Sequence, residues 1–270
     1  MKSIPFPNAR QTGLSLVEFL VSLLIGMLIV LVAVTSLFGT RSTSLASENV
    51  NELQQSAAHA FHLLRRHIAQ AGFAPVDLSG NRGYYDTNAS TPTNVDGESE
   101  FFAVKGTEGG DGKNDTLKVG YAPSPDYFKD CLGQEVGPYN PLEPLSSTNV
   151  RLITSEFAVN ADGKLTCRGN GAKNTPPLVE GVERFDVMYG VAATATTNQI
   201  VKYEKASALN GAEYMKVRAV RVCLQLVGRT AGNPPQTYVD CDGKSQTLKD
   251  GKLRGVFAST FALRNNLGAL

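Results

Sequence analysis

The hydropathy pattern of the chain is dominated by an apolar run near its N-terminus, at residues 19–34, and no charged residue occurs from Phe19 to Thr40. At about 1.5 Å per residue, a helix of about 20 apolar residues matches a hydrocarbon core of about 30 Å. The run therefore predicts a membrane-spanning helix. Because Lys2 and Arg10 precede it, the positive-inside rule predicts a cytoplasmic N-terminus, with everything after Thr40 on the outer side.

A secretory signal peptide is the competing interpretation of this run, because Ser44-Leu45-Ala46 offers a weak small-x-small cleavage site. The apolar region of such peptides has about 7 to 15 residues, and this run is longer. Glu18 also leads directly into the run, where a signal peptide needs no acid. The pattern favours a retained helix over a removed peptide.

Beyond the run, apolar positions recur mostly at three- and four-residue steps, which is typical of a helix with one apolar face. These positions are Val50, Leu53, Ala57, Ala60, Phe61, Leu64, Ile68 and Ala71. Gly72 and Pro75 predict the end of this helix, and no proline interrupts residues 14–71, so both segments are predicted to form one helix. Residues 14–40 are assigned to the membrane-spanning part of this helix, and residues 41–72 to packing on the rest of the chain.

After Pro75 the chain is rich in Gly, Pro, Asn, Asp, Ser and Thr, and short runs with alternating apolar positions predict strands. The predicted strands are residues 101–105, 116–121, 150–159, 184–191, 214–227 and 253–263. Residues 78–100 and 124–147 are predicted to be long surface loops. The expected fold class is α+β, in which a long N-terminal α-helix packs on an antiparallel β-sheet head at residues 73–270.

The composition is that of a globular protein, with 42% hydrophobic and 19% charged residues. The formal net charge is +1, so the charge balance gives no reason to predict nucleic acid as a partner. Lys216, Arg218 and Arg221 lie on a predicted strand and are expected to line a solvated sheet face. Contact with a partner or with DNA is the less favoured alternative.

Four cysteines, Cys131, Cys167, Cys223 and Cys241, lie in the predicted outer part of the chain. An even number in an oxidising compartment predicts two disulfides, and four cysteines allow three pairings. The sequence-local pairing, Cys131 with Cys167 and Cys223 with Cys241, is favoured because each bond closes a short loop across predicted hairpins. Each bond is expected to stabilise the head by about 2 to 4 kcal/mol. Neither pair has the short spacing of a structural zinc site, so no metal is predicted.

Other candidate sites are weaker. His59 and His62 lie three residues apart, but no third ligand is near them in sequence, so surface or groove histidines are expected. Residues 109–115 have oxygen ligands at spacings similar to those of a calcium loop, but they lack its closing glutamate, so a turn is expected. No G-x-S-x-G, H-E-x-x-H or phosphate-loop motif occurs, so neither an enzyme nor a cofactor is predicted.

The segment that leads into the apolar run resembles the class III signal of type IV prepilins and type II secretion pseudopilins. It reads Gln11-Thr12-Gly13-Leu14-Ser15-Leu16-Val17-Glu18. The resemblance implies that a prepilin peptidase removes the leader, residues 1–13, by cutting after Gly13, and that Leu14 becomes the N-methylated first residue. It also implies that residues 14–40 later form the core of a filament, and that Glu18 pairs with the N-terminal amine of a neighbouring subunit and sets the axial register.

Physical reasoning also singles out Glu18. A charged side chain costs about 2.5 to 3.5 kcal/mol at the bilayer midplane and less near the edge, so an acid inside a membrane segment is a functional-site hypothesis by default. The alternative is an interfacial acid that reaches toward the headgroups and has no specific partner.

Within this superfamily the chain is most similar to the PilW family of minor pilins, which resembles the J-type minor pseudopilins of type II secretion. Leu14 in place of the usual phenylalanine, and an apolar run without proline, depart from the pattern of major pilins. The similar segments of the head are residues 64–73, 130–133, 165–169, 178–185 and 189–190.

The resemblance implies a minor pilin of a Gram-negative bacterium that joins a priming complex near the pilus tip and supports pilus assembly, twitching motility and cell adhesion. Its implied partners are other minor pilins, the major pilin, the prepilin peptidase, the inner-membrane assembly platform and inner-membrane lipid. The implied location is a single pass through the inner membrane with a periplasmic head, and later the pilus tip. A minor pseudopilin of type II secretion is the main alternative, and a membrane-anchored periplasmic binding protein is a further one.

Overall fold

The computed structural model describes residues 15–73, 103–110, 112–122, 129–135, 153–170, 175–231 and 235–265. The chain divides into two compact units, Met1–Glu48 and Asn49–Leu270. Helix α1, Leu16–Gln70, begins in the first unit and ends in the second. The strands belong to the second unit. This unit is called the head below, and it includes the C-terminal part of α1 in addition to residues 73–270.

Helix α1 is a single element of 55 residues, as the absence of proline predicts. In the head its buried apolar residues form one stripe, which consists of Leu53, Ala57, Ala60, Leu64 and Ile68. Val50, which the predicted stripe includes, is exposed. The helix ends just before Gly72, whose φ is +74° and whose N–H donates to the carbonyl oxygen of Gly120 at 2.9 Å. Glycine adopts this φ without steric cost, and the predicted end of the helix is confirmed.

The first sheet of the head is antiparallel and has five strands. They are β1 (Val104–Thr107), β2 (Thr116–Tyr121), β3 (Ile153–Val159), β4 (Leu165–Gly169) and β5 (Pro177–Val179). Their order in the sheet, β1-β2-β3-β4-β5, is also their order along the chain. In β2 the buried Leu117 and Val119 alternate with the half-buried Lys118, so one face turns to the core.

The second sheet is antiparallel and has four strands. They are β6 (Val182–Ala192), β7 (Ile200–Glu204), β8 (Val217–Val227) and β11 (Arg254–Ala262). The order in the sheet is β11-β8-β6-β7. A separate hairpin of β9 (Gln236–Val239) and β10 (Ser245–Leu248) connects β8 to β11. A 3-10 turn, Ala206–Ala208, and the short helix α2, Gly211–Tyr214, connect β7 to β8.

One hydrophobic core joins α1 to both sheets. The ring of His67 lies 5.7 Å from that of Phe157 in β3, and the ring of Phe61 lies 6.1 Å from that of Phe261 in β11. The buried apolar residues of the helix stripe belong to the same cluster as those of the two sheets. The α+β fold class, with a long N-terminal helix and an antiparallel head, is confirmed.

The six predicted strands each overlap an observed strand, namely β1, β2, β3, β6, β8 and β11. Tyr214, predicted to begin a strand, lies instead in α2, whose capping box is formed by Asn210 and Glu213. The strands β4, β5, β7, β9 and β10 were not predicted. Each has three to five residues, too few to show a clear alternation of apolar and polar positions.

The two predicted loops fall largely outside the described residues. Residues 78–100 lie outside them entirely, and residues 129–135 are the described part of the second loop. That part forms a tight turn in which Lys129 pairs with Glu135 as an antiparallel bridge.

Candidate functional site

The first unit presents an apolar helix surface. Residues Leu16–Leu37 of α1 are long and apolar enough to cross a membrane. Their large apolar side chains are exposed around the whole helix, from 44% at Val34 to 75% at Leu16. An apolar surface of this extent is costly in water, so lipid or another protein has to cover it.

Glu18 is the one charged side chain of this span. It lies in the first turn of α1, where the helix dipole favours a carboxylate, and no described residue pairs with it. The nearby hydroxyl of Ser22 donates to the carbonyl oxygen of Glu18 at 2.7 Å, and the hydroxyl of Thr35 donates to Val32 at 2.9 Å. These two hydroxyls are satisfied within the helix, whereas the Glu18 carboxylate is a charge at the start of an apolar span.

Two disulfides tie the head together, with the pairing that the sequence favoured. Cys131 is bonded to Cys167 in β4, with their Cα atoms 6.5 Å apart. Cys223 in β8 is bonded to Cys241 in the turn of the β9–β10 hairpin, with their Cα atoms 5.8 Å apart. Each bond therefore joins a turn to one of the two sheets.

Within the described ranges of the head, one five-residue turn occurs three times, at residues 130–134, 160–164 and 240–244. In each turn the side-chain oxygen of the first residue accepts hydrogen bonds from the N–H groups of the third and fifth, at 2.8 to 3.0 Å. The fourth residue is a glycine with φ between +69° and +78°. Cys131 and Cys241 occupy the second position of two of these turns, so both disulfides use the same local geometry. The two turns that carry a cysteine share the pattern Asp-Cys-x-Gly-Gln/Lys, which is visible in the sequence but was not used in its interpretation.

The turn between β1 and β2 connects the two sheets through buried side chains. The Asp115 carboxylate is buried, and its two oxygens accept the N–H groups of Gly109 at 3.0 Å and Val187 at 2.8 Å. Asn114 accepts the N–H of Phe185 at 2.7 Å. Because β7 pairs with β6 at residues 189–192, these side chains occupy the part of the β6 edge that β7 leaves open. The expected turn is thus observed, and the carboxylate serves backbone donors.

Lys205 compensates the negative charge at this junction. Its ammonium group pairs with the buried Asp186 and lies 3.8 Å from the Asp115 carboxylate. Arg184 lies 3.5 Å from the same oxygen of Asp186. A buried carboxylate without such partners would be strongly destabilising, so the cationic side chains are part of what joins the sheets.

His67 is a buried histidine between α1 and the first sheet. It packs against Phe157, and its Nδ1 has no hydrogen-bond partner. Burial lowers the pKa of His67 from 6.5 to about 4, with Arg66 acting in the same direction and Asp130 opposing it. The imidazole is therefore neutral at neutral pH. The sequence interpretation assigned no role to His67, although its position three residues after the stripe residue Leu64 placed it on the core face.

Residues 152–265, which include most of the strands of the head, match the family model described as Type IV Pilus-assembly protein W. The resemblance to the PilW family is thus confirmed. The PilW-like chain is also similar to the solved structure of a type IV-like pilin, TTHA1219, from Thermus thermophilus. That similarity has 15% sequence identity and a TM-score of 0.43, and it covers 82% of this chain and 97% of the other. No curated protein matches the chain.

In this PilW-like head, Lys216, Arg218 and Arg221, which were expected to line a solvated sheet face, differ in exposure, and Lys216 is half-buried just before β8. Arg218 is buried, and its guanidinium donates to the carbonyl oxygens of Met215 at 2.9 Å, Thr197 at 3.0 Å and Ala195. The expectation for Arg218 is therefore wrong, because the side chain is used to hold the loop after β6. Arg221 is exposed, in line with the expectation.

The remaining predicted positions of the PilW-like chain lie on α1 or outside the described residues. His59 and His62 are exposed on α1, as expected of surface histidines. Gly13 and Leu14 lie outside the described residues, so their roles in processing stay predictions. Within the described ranges, no group of three or more His, Cys, Asp or Glu side chains could hold a metal ion.

Proposed function

We propose that this chain is a minor type IV pilin that joins other minor pilins in a priming complex near the pilus tip and supports pilus assembly. The observation that carries the proposal is the PilW family match at residues 152–265, in a chain whose helix α1 has apolar side chains all round at Leu16–Leu37. The role is structural, with assembly rather than catalysis as its outcome. Twitching motility and cell adhesion follow from it as properties of the assembled pilus.

The apolar span suits two successive surroundings. In the inner membrane lipid covers its exposed side chains, with the head in the periplasm, and in a filament the helices of neighbouring subunits cover them instead. Transfer between the two requires no exposure of the span to water. Leader removal after Gly13 by the prepilin peptidase frees the Leu14 amine for methylation, and the inner-membrane assembly platform then moves the subunit toward the major pilin.

Glu18 is proposed to set the register of assembly. Its carboxylate pairs with the N-terminal ammonium group of the neighbouring subunit, in an apolar environment where an unpaired charge is costly. Removing one partner of a buried ion pair costs about 3 to 5 kcal/mol. Since 1.4 kcal/mol corresponds to about a tenfold change in an equilibrium constant, a loss of this size is about a hundredfold or more in subunit docking.

The test is the Glu18→Ala variant, expressed from its own locus in a strain that lacks the wild-type gene. Surface pili are sheared and quantified, and the same cells are assayed for the level of this protein in the inner membrane. We expect few or no pili and an unchanged membrane level, because the apolar span still inserts. Ser22→Ala is the matched control, since that hydroxyl bonds within its own helix, and its pilus yield should equal that of the wild type.

Two further measurements separate the alternatives. Mass spectrometry of the mature protein should find N-methylated Leu14, whereas an intact leader would favour a membrane-anchored binding protein. Exoprotein secretion is measured in the Glu18→Ala strain together with pilus yield. Normal piliation with reduced secretion would replace the pilus assignment by a type II secretion pseudopilin, and normal values of both would refute the role of Glu18.

A further inference from the structure

The β9–β10 hairpin lies outside the hydrophobic core of the head. None of the described residues of its two strands and turn is fully buried, and none of them belongs to the core cluster. Val239 is 59% exposed, and Thr237 bonds across the hairpin to Thr247 rather than to a sheet. A two-stranded hairpin is at best marginally stable alone, so its position depends on its attachments to the rest of the head.

The non-covalent attachments of the hairpin are polar and few. The Tyr238 hydroxyl accepts from Gln225 at 3.1 Å, and the Gln236 side chain exchanges two hydrogen bonds with the backbone of Arg254, at 2.7 and 3.0 Å. Asp242, in the turn, lies 3.6 Å from Arg184. Bonds of this kind exchange readily for bonds to water, so they hold the hairpin weakly.

The covalent attachment is the Cys223–Cys241 disulfide. Cys223 alternates along β8 with the core residues Val222 and Leu224, so its side chain lies on the face of the second sheet that points away from the core. Gln225 lies on the same face. The hairpin therefore covers part of this outer face, and the disulfide attaches its turn to β8.

The side chains beneath the hairpin, on the outer face of the second sheet and beside it, are mostly charged. Arg254 pairs with Glu183 at 2.9 Å and with Asp250 at 2.7 Å, and Gln225 donates to Glu183 at 2.9 Å. These side chains partner one another without the hairpin, so uncovering them leaves the ion pairs in place. Movement of the hairpin away from the sheet thus exposes little apolar surface and breaks few interactions.

The Cys131–Cys167 disulfide lies in more buried surroundings. Cys167 is fully buried in β4, and the turn that carries Cys131 is also held by the Tyr121 hydroxyl, which donates to the Lys129 carbonyl oxygen, and by Ser155, whose hydroxyl accepts the Cys131 N–H at 3.1 Å. Asp130 at the start of that turn is buried. Packing and hydrogen bonds therefore hold the first turn in addition to its disulfide.

We propose that the β9–β10 hairpin is a strap that the Cys223–Cys241 disulfide keeps closed over the outer face of the second sheet, and that breaking this bond releases the strap while both sheets stay folded. A dithiol reduces the Cys223–Cys241 disulfide. Its thiolate attacks one sulfur to give a mixed disulfide, and its second thiol then closes a cyclic disulfide. Two electrons and two protons pass to the protein, which gains two cysteine thiols. The device belongs to the head and is independent of the proposed role in pilus assembly.

Hydrogen exchange of the full-length protein in detergent micelles, followed by mass spectrometry, tests the strap. In the Cys223→Ser/Cys241→Ser variant we expect peptides from β9 and β10 to exchange at least about tenfold faster, which corresponds to about 1.4 kcal/mol of local opening. Peptides from β8 and β4 should keep their protection. The matched control is Cys131→Ser/Cys167→Ser, in which the hairpin peptides should exchange as in the wild type.

Two results would overturn the proposal. If the hairpin stays protected without its disulfide, the polar contacts suffice to hold it. If protection in β8 is lost as well, or the variant does not fold, the disulfide supports the whole sheet rather than a strap. Reduction of the folded wild type with dithiothreitol, followed by alkylation, gives an independent readout: Cys223 and Cys241 should be labelled before Cys131 and Cys167. Equal labelling rates contradict the asymmetry on which the strap rests.

Discussion

Acidification should destabilise the head through His67, and the size of the effect follows from its burial. The pKa of His67 is lowered from 6.5 to about 4 in the folded head, first by burial and then by Arg66, with Asp130 opposing. The unfolded chain therefore takes up a proton near pH 6.5, whereas the folded head does so near pH 4. Stability is full above about pH 6.5 and falls as the pH drops toward 4. At about 1.36 kcal/mol for each pKa unit, the total loss is about 3 kcal/mol.

The assay is urea unfolding of the full-length protein in detergent micelles, followed by near-ultraviolet circular dichroism between about pH 7.5 and pH 4.5. Carboxylates also titrate in this range, so the informative quantity is the difference between the wild type and His67→Met, which fills a similar volume and binds no proton. We expect the wild type to lose about 2 to 3 kcal/mol more than His67→Met over this range. His62→Met, at an exposed position on the same helix, is the control and should follow the wild type.

Parallel stability curves for the wild type and His67→Met would refute this reasoning. They would mean that the imidazole finds a proton-binding partner in the folded head, or that water reaches its Nδ1. A smaller difference with the same sign would mean that burial lowers the pKa of His67 from 6.5 to a value higher than about 4.

Two further predictions concern charged groups in contrasting surroundings. Asp115→Asn should lower the free energy of unfolding by about 2 kcal/mol in urea titrations, because both carboxylate oxygens accept backbone N–H groups and an amide offers one acceptor. An unchanged urea midpoint would show that the junction of the two sheets does not depend on this carboxylate. Arg229→Ala should change stability by less than about 1 kcal/mol, since its ion pairs with Glu52 and Glu180 are solvent-exposed. A loss above about 2 kcal/mol would contradict the weakness of these pairs.

Some features of the candidate site were predicted from the sequence, and others were not. Glu18 stands out in the sequence because it is one acid beside a long apolar run, and its meaning needs no tertiary contact. The cysteine pairing was favoured by loop length alone. The burial of Arg218 was not predicted, because a polar residue on a strand carries no mark of what will cover it. The burial of His67 was not predicted either, although the helical spacing placed it on the core face.

The sequence by itself determined the elements whose signal is local. The length of α1 follows from an uninterrupted helical pattern, and its end follows from Gly72. The five-residue turns at residues 130–134, 160–164 and 240–244 follow from their own residues. Each of these features depends on neighbours within a few positions. The tertiary structure alone decided the division of the strands into two sheets, the use of Asp115 to join them, and the place of the β9–β10 hairpin outside the core. These features depend on contacts between residues far apart in the chain, whose partners no local pattern specifies.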